Sequence, residues 1–344
     1  MAEPVLEVEN LTVSFPTDEG RVDAVRGVSF ELEPGRVLGI AGESGSGKSV
    51  TSLAIMGLLP GSARVAGSVR FRGQELLGRS ERQMAGIRGS RISVIFQDPM
   101  SSLNPVYTVG WQVAEAISEH QDVSKEEAWR RAVELLELVG IPQAAERARS
   151  YPHEFSGGMQ QRAVIATAMA NDPDVIVADE ATTALDVTVQ AQVLEALKTA
   201  QEKTQAGVIF ITHDLGVMAG IADEIMVMYA GKPVEYAPTD EIFYSPRMPY
   251  TVGLLASLPR LDTDASEPLR PIPGSPPSVI DLPPGCPFTP RCPLARDRCR
   301  SEEPELRKIR RDDHLTACHF AEELGERGEE VFAATAADAE VVPG

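Results

Sequence analysis

The first 285 residues of this 344-residue chain contain no cysteine; all four cysteines follow, between positions 286 and 318. Thiol chemistry is therefore confined to the C-terminal region. Long apolar runs are missing too: none approaches the roughly 18–20 residues that a bilayer-spanning helix needs. The opening residues, Met-Ala-Glu-Pro-Val-Leu, show neither the basic nor the apolar region of a secretory signal, so the expectation is a cytoplasmic chain. Positive charge is scarce. Lysine and arginine number 32 against 51 aspartate and glutamate, a net charge of −19. That balance repels nucleic acid and anionic lipid, so attachment to a membrane should run through another protein. With 43% apolar residues, the chain can bury a large core and has length for a full catalytic domain plus a smaller appendage.

Against those absences, one octapeptide stands out. Residues 42–49 read Gly-Glu-Ser-Gly-Ser-Gly-Lys-Ser, a match to the phosphate-loop pattern G-x-x-x-x-G-K-S/T. The apolar run Val37–Ala41 before it has the pattern of a buried parallel strand. Gly42, Gly45 and Gly47 let the backbone turn so that N–H groups of the loop, through Glu43, Ser44 and Ser46, face phosphate oxygens. A helix beginning near Lys48 adds its positive end. Lys48 is expected to reach the β- and γ-phosphates of ATP, and the Ser49 hydroxyl to bind Mg²⁺.

A second buried strand, Val175-Ile176-Val177-Ala178, ends in Asp179-Glu180. Asp179 at that strand end can orient the Mg²⁺ shell, and Glu180 can polarise a water for in-line attack on the γ-phosphate. Between the two strands lies Phe155-Ser156-Gly157-Gly158-Met159-Gln160-Gln161-Arg162. Ser156, Gly157 and Gly158 open a helix from about 158 to 170, and their hydroxyl and N–H groups make a second anion site.

The phosphate loop followed by Ser156-Gly157-Gly158-Met159-Gln160 resembles the ABC ATPases. The resemblance implies further roles. Ser156, Gly157, Gly158 and Gln160 would cap the γ-phosphate held by an opposing subunit, so ATP would lie between two head-to-tail ATPases. His213, after the strand Gly207–Thr212, would contact the γ-phosphate. Gln97, closing Ile92-Ser93-Val94-Ile95-Phe96, would sense Mg²⁺ and the membrane partner, and Ala184-Leu185-Asp186 would cross to the partner subunit. Phe15 is the candidate for stacking on adenine. Val50 stands where many relatives carry threonine, which removes one possible α-phosphate hydrogen bond.

The fold expected is α/β: a doubly wound P-loop ABC ATPase, residues 1–255, with an antiparallel N-terminal sheet over about 1–36 and an inserted helical subdomain over about 98–157. Within that subdomain Ser124-Lys125-Glu126-Glu127 reads as a capping box. Ala128, Ala132, Leu135, Leu136 and Val139 follow at helical spacing, until Gly140 and Pro142 end the helix. In ABC ATPases this subdomain docks on the permease.

Eleven prolines between 259 and 293 forbid regular helix or sheet there. Cys286, Cys292, Cys299 and Cys318 then follow in a C-x5-C-x6-C-x18-C spacing. Four thiolates can hold a tetrahedral zinc or a 4Fe–4S cluster, and the spacing fits neither a zinc ribbon nor a ferredoxin run. The Gly-Cys-Pro-Phe…Arg-Cys-Pro…Cys…Cys-His pattern resembles the C-terminal extension, residues 256–320, of oligopeptide- and dipeptide-permease ATPases. Several of those hold an iron–sulfur cluster, which the resemblance implies here, with zinc as the alternative. His314 and His319 flank the last cysteine and are expected at the surface or beside the ligands, not among them. Gln97–Pro105, Ala184–Gln190 and Ser245-Pro246…Pro249-Tyr250-Thr251 look like the same subgroup, although Met248 replaces a frequent histidine. The acidic stretch 321–344 is expected to be disordered.

The resemblance thus implies the ATPase of a di- or oligopeptide importer at the cytoplasmic face of the membrane. Its partners would be two transmembrane permeases, a second related ATPase or a copy of itself, and an extracytoplasmic substrate-binding protein. Because related systems import nickel or glutathione, an importer of nickel, glutathione or another small solute is one alternative. Another is a soluble ABC ATPase acting on ribosomes or DNA, which the single phosphate loop, the lack of a heptad run and the acidity disfavour.

Overall fold

The computed structural model describes residues 3–18, 20–182, 186–258, 272–309 and 311–324. The strands are β1 (Leu6–Thr17), β2 (Gly20–Leu32), β3 (Val37–Ala41), β4 (Arg64–Phe71), β5 (Gln74–Glu75) and β6 (Ile92–Ile95). They continue with β7 (Val175–Asp179), β8 (Gly207–Thr212), β9 (Glu224–Tyr229), β10 (Lys232–Pro238), β11 (Arg307–Ile309) and β12 (Arg311–Thr316). The first sheet is antiparallel in the order β2-β1-β4-β5. Leu6 and Val8 point into its core, and so do Leu11 and Val13. The alternation slips between the pairs because Asn10, at φ 46°, forms a bulge that shifts the register. Gly67 of β4 lies against it; a Cβ there would sit 2.6 Å from the Asn10 carbonyl oxygen. The sequence places only residues up to about 36 in this sheet, yet β4 and β5 return to complete it. Their solvent-facing residues hide that long-range pairing.

The second sheet runs β11-β12-β10-β9-β3-β8-β7-β6. β9, β3, β8, β7 and β6 are mutually parallel. Every residue of β3, β7 and β8 is buried, which is why these strands read as continuous apolar runs instead of alternating ones. The chain leaves β3, crosses to the far edge at β6, returns through β7 and β8, then places β9 on the other side of β3. A crevice at the carboxyl ends of such strands, where the strand order reverses, is where ligands of open α/β sheets bind. Register puts those ends in one row: Ala41 pairs with Thr212, Asp179 with Ile211, and Ile95 with Ala178.

The inserted arm contains the helices Val109–His120 and Lys125–Leu138. Ser124 caps the second helix by accepting from the Glu127 N–H at 3.2 Å. The reciprocal half of the expected capping box is missing, because the Glu127 carboxylate is held by Arg130 instead, at 2.6 and 3.0 Å. Ala128, Ala132, Leu136 and Val139 are buried, Leu135 half-buried, and Gly140 takes φ 76° past the helix end.

The C-terminal region is joined to the main sheet. Helix Pro249–Ala256 is buried almost throughout, and β12 pairs with β10 through Glu235–Thr316 and Tyr236–Leu315. β11 and β12 thus extend the main sheet, a pairing that the proline-rich run before them does not announce. A helix also forms at Ala321–Leu324, inside the stretch expected to be disordered. Residues 325–344 and Pro259, Pro268 and Pro271 lie outside the described residues. None of the described helices is long and apolar enough to cross a membrane.

Candidate nucleotide-binding site

The phosphate loop follows β3 directly, and helix Lys48–Ile55 begins at its lysine. Two glycines are required by close approach. At Gly42 (φ 149°) a Cβ would lie 2.3 Å from the Met228 carbonyl oxygen, and at Gly47 (φ 101°) 2.5 Å from that of Ala24. Lys48 is buried, and its ammonium donates to the carbonyls of Gly42 at 2.7 Å and Glu43 at 3.0 Å. Burial lowers its pKa, while the nearby Glu180, Asp179 and Glu43 carboxylates act the other way. Ser46 is buried as well, and its Oγ has no hydrogen-bond partner among the described residues.

Asp179, at the end of β7, accepts from Ser49 Oγ at 3.0 Å and from Ser52 Oγ at 3.1 Å. Burial pushes its carboxyl pKa up against those two hydroxyls. Ser52 is one turn beyond Ser49 on the same helix face and was not among the residues the motif singles out. Glu180 adopts φ 51° and is tied to β8 by its N–H to the Ile211 carbonyl at 2.9 Å. That left-handed turn, costing about 1–3 kcal/mol for a non-glycine residue, aims the carboxylate along the sheet edge. There Oε2 accepts from Gln97 Nε2 at 2.9 Å, and Oε1 lies 3.7 Å from Nδ1 of the half-exposed His213. Four strand ends therefore bring Lys48, Ser49, Asp179, Glu180, Gln97 and His213 to one edge.

Other sequence-predicted residues are placed differently. Phe15 and Val50 pack, half-buried, against the core under the first sheet. Ser156 caps helix Gly157–Ala168 by accepting from the Met159 N–H at 3.4 Å; Ser156 and Gly157 are exposed. Gly158 is buried, and a Cβ there would come within 2.3 Å of Val189 Cγ1. Gln160 is buried, and its amide donates to the carbonyls of Pro152 at 2.7 Å and Phe155 at 3.4 Å. Asp186 caps helix Val187–Thr204, accepting from the N–H groups of Thr188 and Val189. Ala184 and Leu185 lie outside the described residues.

Glu43 is likewise turned away from the loop's interior. Its N–H donates to Tyr250 Oη at 2.9 Å, and its carboxylate accepts from both terminal nitrogens of Arg291 at 2.6 and 2.9 Å. Neither Tyr250 nor Arg291 carries a nucleotide motif. Only their presence in Pro249-Tyr250-Thr251 and Arg291-Cys292-Pro293 marks them in the sequence.

The four cysteines line one cavity of about 140 Å³ together with Phe288, Phe320 and other apolar side chains. Gly285 (φ 84°) and a bond from the Cys286 N–H to the Cys299 carbonyl at 2.8 Å bring two of them together. Burial raises the pKa of Cys286, pushes Cys318 up to about 11 and pushes Cys292 up to about 12. Among the described residues, no group of three or more His, Cys, Asp or Glu side chains is arranged to hold a metal ion. His314 is not at the surface: it is buried, and its Nε2 lies 2.8 Å from Glu235 Oε1. His319 pairs with the Glu302 carbonyl at 3.0 Å.

The strand-end constellation defines a P-loop nucleotide-binding protein of the doubly wound class. Residues 25–183 match the family described as ABC transporter, and residues 234–299 match the oligopeptide/dipeptide transporter C-terminal region. The dipeptide transport ATP-binding protein DppD of Bacillus subtilis is 53% identical over 94% of this chain and 97% of its own length. The oligopeptide transport ATP-binding protein OppD of Mycobacterium tuberculosis is 58% identical over 92% of the chain. This chain spans only 52% of that relative's length. In structure, the ATP-binding cassette MJ0796, solved as a dimer in a post-hydrolysis state with ADP and Pi, superposes at TM-score 0.60 and 27% identity. That match covers 68% of this chain and 98% of MJ0796. The chain belongs to the ATP-binding family of oligopeptide and dipeptide ABC transporters.

Proposed function

We propose that this chain is the ATP-hydrolysing subunit of an importer for di- or oligopeptides, peripheral to the cytoplasmic face of the membrane. The observation that carries the reading is the row formed by Lys48, Ser49, Asp179, Glu180, Gln97 and His213 at the carboxyl ends of the strands. The phosphates of ATP enter the loop, and Lys48 exchanges the Gly42 and Glu43 carbonyls for β- and γ-oxygens. Ser49, Asp179 and Gln97 would hold Mg²⁺, which supplies charge neutralisation on those phosphates when bound. Glu180 takes the proton of the attacking water, with Gln97 orienting its carboxylate and His213 facing the γ-phosphate.

Ser156 and Gly157, exposed at a helix start, meet the ATP of a second ATPase, either a related chain or a copy of this one. Closure of that pair is passed to two transmembrane permeases by the helical arm. A groove of about 850 Å³ between that arm and the core, lined by Phe96, Tyr107, Trp111 and Val164 among others, supports docking of a permease helix. Tyr107 and Trp111 are stacked there at 4.2 Å with both rings exposed. An extracytoplasmic binding protein delivers the peptide, and no nucleic acid takes part.

Cys286, Cys292, Cys299 and Cys318 would be the ligands of a 4Fe–4S cluster, a reading that rests on the resemblance of their spacing and on their lining one cavity, and not on a formed metal site, since the described residues arrange none. Zinc held by the same four thiolates is the alternative. Such a cluster would supply cross-linking of the extension, since none of the ATPase chemistry needs an electron. Affinity purification from gently solubilised membranes, with mass spectrometry of the retained chains, tests the assembly. Two permeases and a second ATPase are expected; recovery only with ribosomal or DNA-repair proteins would overturn the importer reading.

A further inference from the structure

A carboxylate inside a phosphate loop is an electrostatic liability. Glu43 follows the first glycine of the loop, yet the loop must attract a triphosphate. Its charge is met by Arg291, 248 residues away, in a two-pronged contact at 2.6 and 2.9 Å. Arg291 is 4% exposed in its side chain, Glu43 27%. The remaining guanidinium donors are also placed: Nε donates to the Pro273 carbonyl at 2.9 Å, and Nη1 approaches Tyr229 Oη at 3.4 Å. Tyr229, Tyr250 and Phe288 pack ring against ring beside it, with centroids 4.5 to 5.4 Å apart. A buried fork with this many fixed donors is rigid, and charge-assisted bidentate pairs are the strong ones. Tyr250 meanwhile holds the Glu43 N–H, so both the backbone and the side chain of this loop residue are gripped from the C-terminal region.

We propose that Arg291 is a positioning residue for the phosphate loop: it neutralises Glu43 and holds the loop's first turn, so nucleotide affinity depends on the C-terminal extension being docked. The proposal rests on the nucleotide-site reading above. Without Arg291 the Glu43 carboxylate loses its two-pronged partner, and its charge, in the first turn of the loop, then opposes the triphosphate that the loop must attract. The dependence is reciprocal, because a ligand that favours the gripped loop equally favours the docked extension.

The test is a double-substitution cycle on the full-length chain, read as the affinity for a fluorescent ATP analogue and as KM and kcat for ATP. R291M should weaken binding by about tenfold and raise KM more than it lowers kcat. In an E43Q background the same substitution should change affinity by less than about twofold, because no charge remains to neutralise. R291Q, which retains a donor for the Pro273 carbonyl, should repeat the pattern if R291M folds poorly. Equal losses in the parental and E43Q backgrounds would mean a merely structural role and overturn the proposal, as would unchanged affinity in R291M. Failure of the wild-type chain to bind ATP, with K48A no different, would remove the nucleotide reading itself and the proposal with it.

Discussion

Gln97 donates through Nε2 to Glu180 Oε2 at 2.9 Å, joining the loop after β6 to the end of β7 across the mouth of the site. The pairing orients the carboxylate at the mouth of the site. E180Q should bind ATP with affinity close to the parent chain while turnover falls by about a hundredfold or more. Size-exclusion chromatography with ATP should then show a trapped dimer. Parental turnover in E180Q would remove Glu180 from the chemistry.

At Gly42 the loop has no room for a side chain. G42A would set a methyl 2.3 Å from the Met228 carbonyl oxygen and 2.8 Å from Ser46 Oγ, at a φ of 149°. The loop must shift, and ATP binding is expected to be lost while the melting temperature of the nucleotide-free chain changes only modestly. Isothermal titration measures the first and calorimetric unfolding the second. Tight ATP binding by G42A would mean that the loop's observed path is not the one that holds phosphate.

The extension is riveted to the core by His314 of β12 and Glu235 of β10, both buried. H314A removes one buried hydrogen-bond partner of Glu235, which also accepts from the Arg247 N–H, and leaving a buried polar group short of a partner costs about 1–3 kcal/mol. Urea unfolding of H314A should show that loss. A change below about 1 kcal/mol would place the rivet elsewhere, for example on the backbone pairing of β10 with β12.

Burial of the thiols has a direction with pH. In the chain stripped of any bound metal, Cys292 is pushed up to about 12 and Cys318 up to about 11, above the ordinary thiol value of 9.0. Below pH 9 both folded and unfolded thiols stay protonated, so this part of the stability is fully present. As pH rises from about 9 toward 11–12 the unfolded chain sheds its protons first, and stability falls. Urea midpoints measured from about pH 8 to about pH 11 should therefore decline less steeply in a C292S/C318S variant than in the parent. Parallel slopes would show that these thiols are not buried as described.

Much of the site could be read directly, for a physical reason. A phosphate loop needs glycine at particular positions, and strands buried on both faces need unbroken apolar runs, so β3, β7 and β8 with their terminal chemistry are written locally. Ser156 as a helix cap is equally local. Half of the box at Ser124 failed because Glu127 had a closer competitor in Arg130, one turn along the helix. Gln160 carries a role at the partner's ATP through its place in a motif, and only the tertiary structure shows its amide bonding two carbonyls, those of Pro152 and Phe155.

The sequence by itself determined the chemistry available: a lysine and a serine opening a helix, an acid pair closing a strand, and four thiols set apart from everything else. Tertiary structure decided which of these meet. Strand order brought Gln97 and Glu180 together from 83 positions apart, and the return of the C-terminal region onto the core put Arg291 against Glu43. Neither contact has a periodicity or spacing to betray it, because partners far apart in the chain are selected by packing and by the need to neutralise buried charge.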